Sequence, residues 1–296
     1  MPTRNRAATL ERALECALAT DVETILVVDN ASTDATPALL FGQARVVALR
    51  QRQNIGCAGA LAVGFRWALE QGFSAVWVLD DDLYVYRDAL TRLQGCADLA
   101  LPQLILGRLD WSRREGNPPR DSLPLPEGGP LVGGLVTRAA IEQIGVPLGR
   151  FRNGHEDTEY ILRAQRASVL VVRRPVPVGQ HPEPRYTRVV QGHRAYLRET
   201  NPLARLGTAT RNALWTYLYY GDIAAWILAV KRDVLGVIFL AEALYPERPW
   251  HARWYVSVAM VSALYCYMTG SLLGPSSERS ARRRRLRVRD GRRSAV

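Results

Sequence analysis

The sequence predicts an α/β protein built on a mostly parallel sheet with helices on both faces, followed by a helical extension. Three observations carry that prediction. Apolar runs of strand length alternate with helix-length segments through the first half of the 296 residues, the pattern of a parallel sheet with both faces covered. Acidic residues follow directly on two of these runs, at what would be the carboxyl ends of the strands, where ligands of such sheets sit. The last third loses the alternation and becomes long, apolar and aromatic.

Residues 24–29 (TILVVD) read as a buried strand, and the turn after it opens a helix for which Ser32 or Thr33 is the expected N-cap. Residues 45–49 (RVVAL) form the next strand. The glycine-rich turn NIGCAGA follows, then a helix from about residue 60 to 71. Residues 75–79 give the third strand and end in Asp80, Asp81 and Asp82. Residues 109–130, rich in Pro, Gly and Arg, read as a long surface loop. LVGGLVTRAAIEQIG supplies a strand and a helix, with Gly133 and Gly134 permitting close backbone approach. A helix starting near His155 or Glu156 carries Glu159 and Arg163 four residues apart, a spacing that pairs them. SVLVVRRPVPVGQHPEP is a strand leading into a proline-rich loop with His181.

Charge is unevenly spread. The net charge is +11, and residues 275–296 hold nine arginines against Glu278 and Asp290, so +7 of it lies in this tail. The body has no basic stripe, and nucleic acid is not an expected partner. Four cysteines without paired spacing suggest neither a zinc site nor a disulfide framework and fit a reducing cytosol. No signal peptide is visible at the start of the sequence.

Three adjacent carboxylates repel one another unless a positive group lies among them. At a strand end beside a sheet crevice, such a group suits a hard divalent cation, Mg²⁺ or Mn²⁺, shared with substrate phosphates. A phosphatase nucleophile loop is disfavoured because Leu83-Tyr84-Val85 supplies no following Thr. A nucleotidyltransferase lacks its expected Gly-rich, Lys- or Arg-bearing loop.

The ordered set PTRNR (2–6), VVDNASTD (27–34), NIGCAGA (54–60), LDDD (79–82), GG (133–134), HEDTEY (155–160) and QHPEP (180–184) resembles the family 2 glycosyltransferases of GT-A fold, nearest their bacterial galactofuranosyl- and rhamnosyltransferase branch. The resemblance covers about residues 1–200 and implies a Rossmann-like GT-A domain there. It also implies roles. Thr3, Asp29 and Asn54 would line the nucleotide pocket, with Asp81 and Gly134 in the same donor-binding set. Asp80 and Asp82 would be the DxD-type metal and ribose contacts, and His181 would complete the metal site. Asp157 would be the general base, with Glu156 in reserve. As bland alternatives, Asp29 caps a turn and His181 is an ordinary loop histidine. The implied reaction is metal-dependent, inverting transfer of a galactofuranose- or rhamnose-class sugar from a UDP- or dTDP-linked donor to a glycan or polyprenyl-linked acceptor. A catalytically inactive scaffold of the same fold is the alternative. Asp157 lies in the first turn of its helix, where the dipole favours the ionised form while Glu156 opposes it. The sequence does not decide between the two.

Members of this family carry an apolar strand before the PTxNR turn, and this sequence opens on the turn itself. The expectation is that the given start lies about ten residues late. Residues 201–274 are read as a helical extension that contacts membrane or self-associates, and 275–296 as a disordered tail. Residues 254–274 are 21 without charge, long enough to cross a bilayer. A single crossing would separate the tail from the sugar-nucleotide domain, and a two-span hairpin would bury Lys231, Arg232 and Asp233 in hydrocarbon. Helices lying in the interface of an anionic membrane, at the cytoplasmic face, are therefore preferred.

Overall fold

The structure is a computed structural model that describes residues 1–111, 130–151, 154–181 and 202–221, together with Trp254, Ser257, Val258, Val261, Ser262, Tyr265 and Thr269. The chain divides into two units, Met1–Pro147 with His155–Thr200, and Leu148–Gly154 with Asn201–Val296.

In the first unit the strands are β1 (Pro2–Thr3), β2 (Ile25–Asp29), β3 (Val46–Arg50), β4 (Ala75–Trp77), β5 (Tyr84–Val85), β6 (Gln103–Trp111), β7 (Leu135–Thr137) and β8 (Leu170–His181). The helices are α1 (Ala7–Leu18), α2 (Thr36–Leu40), α3 (Gly56–Glu70), α4 (Ala89–Gln94), α5 (Arg138–Ile144) and α6 (Glu156–Arg166). Strands β1-β2-β3 form a parallel sheet. The order β4-β7-β6-β8-β5 forms a second sheet in which only β6 and β8 run parallel. The parallel expectation therefore holds for the first three strands, and the second half mixes directions.

Helix boundaries shift for local reasons. α3 starts at Gly56 rather than near residue 60, because Asn54 Oδ1 accepts the Gly56 N–H at 2.9 Å and organises the turn. α2 starts at Thr36, and neither Ser32 nor Thr33 caps it. Ser32 Oγ instead accepts the Asn5 N–H at 3.0 Å, and Asp34 Oδ1 accepts the Thr36 N–H at 3.0 Å. The expected loop from residue 109 begins later, since β6 continues to Trp111; residues 112–129 lie outside the described part.

Two apolar clusters hold the unit together. Leu10 and Leu14 of α1, Val27, Leu83, Leu93 and Ile105 belong to one. Phe65 of α3, Val136, Ile141, Tyr160 and Ile161 belong to the other, where the Phe65 and Tyr160 rings meet edge to face at 5.7 Å. The second cluster fixes α6. Arg163, predicted to pair with Glu159, does so at 2.8 Å with both side chains buried. It also donates to the carbonyls of Ile144 and Val146 at 2.9 and 3.1 Å, tying α6 to the end of α5. Arg163→Met leaves Glu159 as a buried charge without this partner, and thermal unfolding should register a loss of about 3 kcal/mol.

A cavity of about 480 Å³ is lined by Leu26 and Val28 of β2, Leu61 and Phe65 of α3, and Val76 and Trp77 of β4, among others. Met1 and Pro2 also line it. At one edge of the second sheet β5 pairs with β8. Gly179 pairs with Val85, and a Cβ at Gly179 would stand 2.4 Å from the Tyr84 carbonyl oxygen and 2.7 Å from Val85 Cα. Gly179→Ala forces backbone apart and should destabilise the protein by about 2–3 kcal/mol in denaturant titration.

The second unit contains α7 (Pro202–Tyr220), the helix expected over residues 201–220. Trp215 is fully buried, stacks on Tyr219 at 4.6 Å and meets Phe151 edge to face at 5.5 Å. Asn212 Nδ2 donates to the Gly154 carbonyl at 2.9 Å. Residues 222–253 and the arginine tail lie outside the described part. Among the described residues, no helix is long and apolar enough to cross a membrane.

Candidate active site

Four pieces of chain from the first unit meet at the carboxyl edge of the strands. They are the turn between β1 and α1 (Thr3, Arg6), the segment after β4 (Asp80, Asp81, Asp82), the end of β8 (His181) and the first turn of α6 (Glu156, Asp157). The three aspartates, predicted together, have different surroundings.

Asp81 is turned inward. Thr3 Oγ1 donates to its Oδ2 at 2.7 Å, and Arg6 Nε stands 3.6 Å from its Oδ1. Burial raises its pKa to about 6, with Asp82 and Asp80 adding to the rise and Arg6 and Thr3 opposing it. Asp82 is shared: its Oδ2 accepts from Arg6 Nη2 at 2.9 Å, and its Oδ1 lies 3.4 Å from His181 Nε2. Asp80, the most exposed of the three, lies 3.5 Å from the same nitrogen through Oδ2.

The positive group inside the triplet is thus Arg6, which the sequence reading quoted within PTRNR but gave no role. The available signal was spacing: Arg6 follows Thr3 by three residues around a turn that Asn5 makes with a φ of 50°. Arg6 engages Asp81 and one oxygen of Asp82, leaving the other Asp82 oxygen and Asp80 facing His181.

Asp80, Asp82 and His181 each offer a ligand atom, all within 4.8 Å of one another. Two carboxylate oxygens and one imidazole are a donor set for a hard or borderline divalent ion. Neighbouring ligands of an ion bound at about 2.1 Å lie about 3 Å apart, so the 3.4 and 3.5 Å separations close on a common centre with small movements. The residues fit a divalent cation.

Asp157 is half-buried at the start of α6, and its pKa is raised well above the ordinary carboxylate value. Burial is the largest cause, followed by the charges of Glu156 and Asp80, while a hydrogen bond from the Leu131 N–H opposes them. The competition between helix dipole and Glu156 is therefore decided by desolvation, which sequence alone does not reveal. Cys57, at the start of α3, senses the same field: burial first, then Glu156, Asp80 and Asp157 push its thiol well above its usual range. It is a marker of the acidic site and a poor nucleophile. His155 enters α6 in a left-handed conformation with a φ of 66°.

The remaining expected donor-binding residues lie close by with structural duties of their own. Asp29 ends β2, and its Oδ1 accepts the Ser32 N–H at 2.9 Å. Its buried Oδ2 has no hydrogen-bond partner, with Arg50 Nε 3.7 Å away. Asp29 therefore caps the turn and still carries an acceptor. Asn54 is exposed and organises the start of α3, while neighbouring Asn30, buried and not singled out from sequence, donates to the Gly56 carbonyl at 3.2 Å. At Gly134 a Cβ would stand 2.9 Å from both Leu106 Cδ2 and the Leu131 carbonyl oxygen. Packing against protein accounts for the glycine there, and its carbonyl accepts the Val78 N–H at 2.9 Å.

The first unit is thus an α/β domain of GT-A fold with an Asp-rich strand end, a histidine opposite it and a carboxyl at the start of the adjoining helix. Residues 1–129 match the sequence model of Glycosyl transferase family 2. The chain is 36% identical over 121 residues to the succinoglycan biosynthesis protein ExoO of Rhizobium meliloti (strain 1021), a match covering 38% of this chain and 32% of that relative's length. Among solved structures, S. aureus TarS residues 1–349 superpose with a TM-score of 0.50 at 15% identity, covering 91% of this chain and 90% of that one. The same protein in complex with UDP gives a TM-score of 0.51 at 14% identity, with coverage of 91% and 90%. At these identities the likeness is one of fold.

Proposed function

We propose that this protein is an inverting, metal-dependent glycosyltransferase of bacterial cell-envelope or extracellular glycan synthesis. The donor is a UDP- or dTDP-linked sugar of the galactofuranose or rhamnose class, and the acceptor a hydroxyl of a lipid-linked or polysaccharide glycan. The observation that carries this reading is the meeting of Asp80, Asp82 and His181 with Asp157 at one strand edge. The family match to residues 1–129 and the succinoglycan relative support the glycan context.

The division of labour follows from the surroundings of each side chain. Asp80, Asp82 and His181 would hold Mn²⁺ or Mg²⁺, which when bound would supply Lewis-acid stabilisation of negative charge on a nucleoside diphosphate leaving group. Arg6 and Thr3 keep Asp81 out of that ligand set. Asp29 Oδ2, an acceptor in a buried setting, receives a donor N–H of the nucleotide base. Asp157 accepts the proton of the attacking acceptor hydroxyl, and its raised pKa brings it closer to the matched range for a general base near neutral pH. With no protein nucleophile between donor and acceptor, one displacement inverts the anomeric centre. Work on a lipid-linked acceptor places the enzyme as a peripheral protein on the cytoplasmic face of the membrane.

The test is turnover of UDP-galactofuranose, dTDP-rhamnose and their UDP- and GDP-hexose competitors, with polyprenyl-diphosphate glycans as acceptors and Mn²⁺ present. Metal-dependent release of one nucleotide with a product of inverted anomeric configuration is expected. Retention of configuration would refute the single-displacement mechanism.

A further inference from the structure

We infer that the helical face carrying Trp254, Val258, Val261 and Tyr265 is the surface through which this protein docks on an anionic lipid bilayer. The inference deepens the membrane reading above and rests on it. Seven large hydrophobic side chains are exposed among the described residues, and four of them are these: Trp254 at 67%, Val258 at 45%, Val261 at 68% and Tyr265 at 63%. All four positions are helical, and their spacings of four, three and four residues bring them onto one face. At about 100° per residue they fall within an arc of about 60° and extend about 16 Å along the axis. Ser257, Ser262 and Thr269 flank this stripe, and Thr269 Oγ1 donates to the Tyr265 carbonyl at 2.8 Å, so its hydroxyl is satisfied within the helix.

An exposed apolar stripe fits a bilayer or a second copy of the chain, and charge decides between them. Residues 254–274 carry no charge, and the segment that follows directly, 275–296, carries nine arginines against two acids. Self-association through this face would gather the arginines of both copies, which repel. An anionic membrane attracts them and receives the apolar stripe at the same time, the two contributions that bind interfacial helices. Trp254 and Tyr265 at the two ends are of the residue types that settle at the boundary between headgroups and hydrocarbon.

Flotation of the purified full chain with vesicles of phosphatidylcholine, with and without phosphatidylglycerol, tests the assignment. Three proteins are compared: the natural chain, a variant with Trp254→Ser, Val258→Ser, Val261→Ser and Tyr265→Ser combined, and one with Arg282, Arg283, Arg284 and Arg285 changed to Gln. The natural chain should float with the phosphatidylglycerol vesicles. The serine variant should lose at least about 10-fold in binding at an unchanged unfolding temperature and elution volume. The arginine variant should lose the salt-sensitive part of binding. A natural chain that floats with neither vesicle overturns both the docking surface and the membrane reading. A serine variant that floats like the natural chain overturns the surface alone. A serine variant that dissociates an oligomer, beside a natural chain indifferent to vesicles, assigns the face to a second copy and overturns the proposal. None of these readouts involves sugar transfer, so the glycosyltransferase reading stands or falls separately.

Discussion

Asp157→Asn should abolish sugar transfer and at the same time make the protein more stable. The two effects share a cause. The ionisation of Asp157 is opposed by desolvation and by the charges of Glu156 and Asp80. Removing a general base lowers turnover by about 10²–10⁴-fold. The stability effect has a definite sign. The folded pKa of Asp157 lies above its unfolded value, so ionising the group weakens the fold. That penalty is absent below the unfolded value of 3.8, grows as pH rises through the interval up to the folded pKa, and stays constant above it. Asparagine keeps an acceptor for the Leu131 N–H and carries no charge. The variant should melt about 2–5 °C higher than the natural protein at neutral pH, with a larger advantage at pH 8 than at pH 5. A variant that loses activity and also loses stability at pH 8 would show that the carboxylate is held by partners which favour its charge, contrary to the assignment of base.

The second large effect concerns the metal. Asp82→Ala removes one ligand and also frees Arg6, which holds the other Asp82 oxygen at 2.9 Å. His181→Ala removes the imidazole that faces both Asp80 and Asp82. Each variant should bind Mn²⁺ at least about 100-fold more weakly than the natural protein in calorimetry. Chelation of the natural enzyme should abolish transfer and addition of Mn²⁺ restore it. Unchanged Mn²⁺ affinity in either variant would remove that residue from the ligand set.

Much of this was legible in the sequence because strand ends and acidic residues coincide there. The runs ILVVD and AVWVL end in Asp29 and lead into the aspartate triplet, so a reader of the pattern finds the carboxyl edge before any coordinates exist. HED opening an amphipathic helix, and Glu159 paired with Arg163, were legible for the same reason: helical spacing brings such residues to one face. Other features depend on contacts distant in sequence. Asp81 and Asp82 meet Arg6 across more than seventy residues, so the internal cation went unassigned and a metal was made to balance the whole triplet. The burial that raises the pKa of Asp157 comes from packing around the head of α6. Gly134 reads as a place for close approach, and it is one, yet the approaching atoms are Leu106 and the Leu131 carbonyl. The antiparallel pairings of the second sheet were missed because apolar runs announce strands without their direction.

The central claim is that the acidic strand edge binds a nucleotide-sugar through a divalent ion. Thermal unfolding of the natural protein and of an Asp80→Ala, Asp82→Ala variant, each with UDP, dTDP and GDP sugars in the presence and absence of Mn²⁺, tests it most directly. The account predicts a rise in melting temperature for one nucleotide class only, dependent on Mn²⁺ and lost in the variant. A natural protein that responds to no nucleotide with Mn²⁺ present would contradict it and leave a glycosyltransferase fold without glycosyltransferase chemistry.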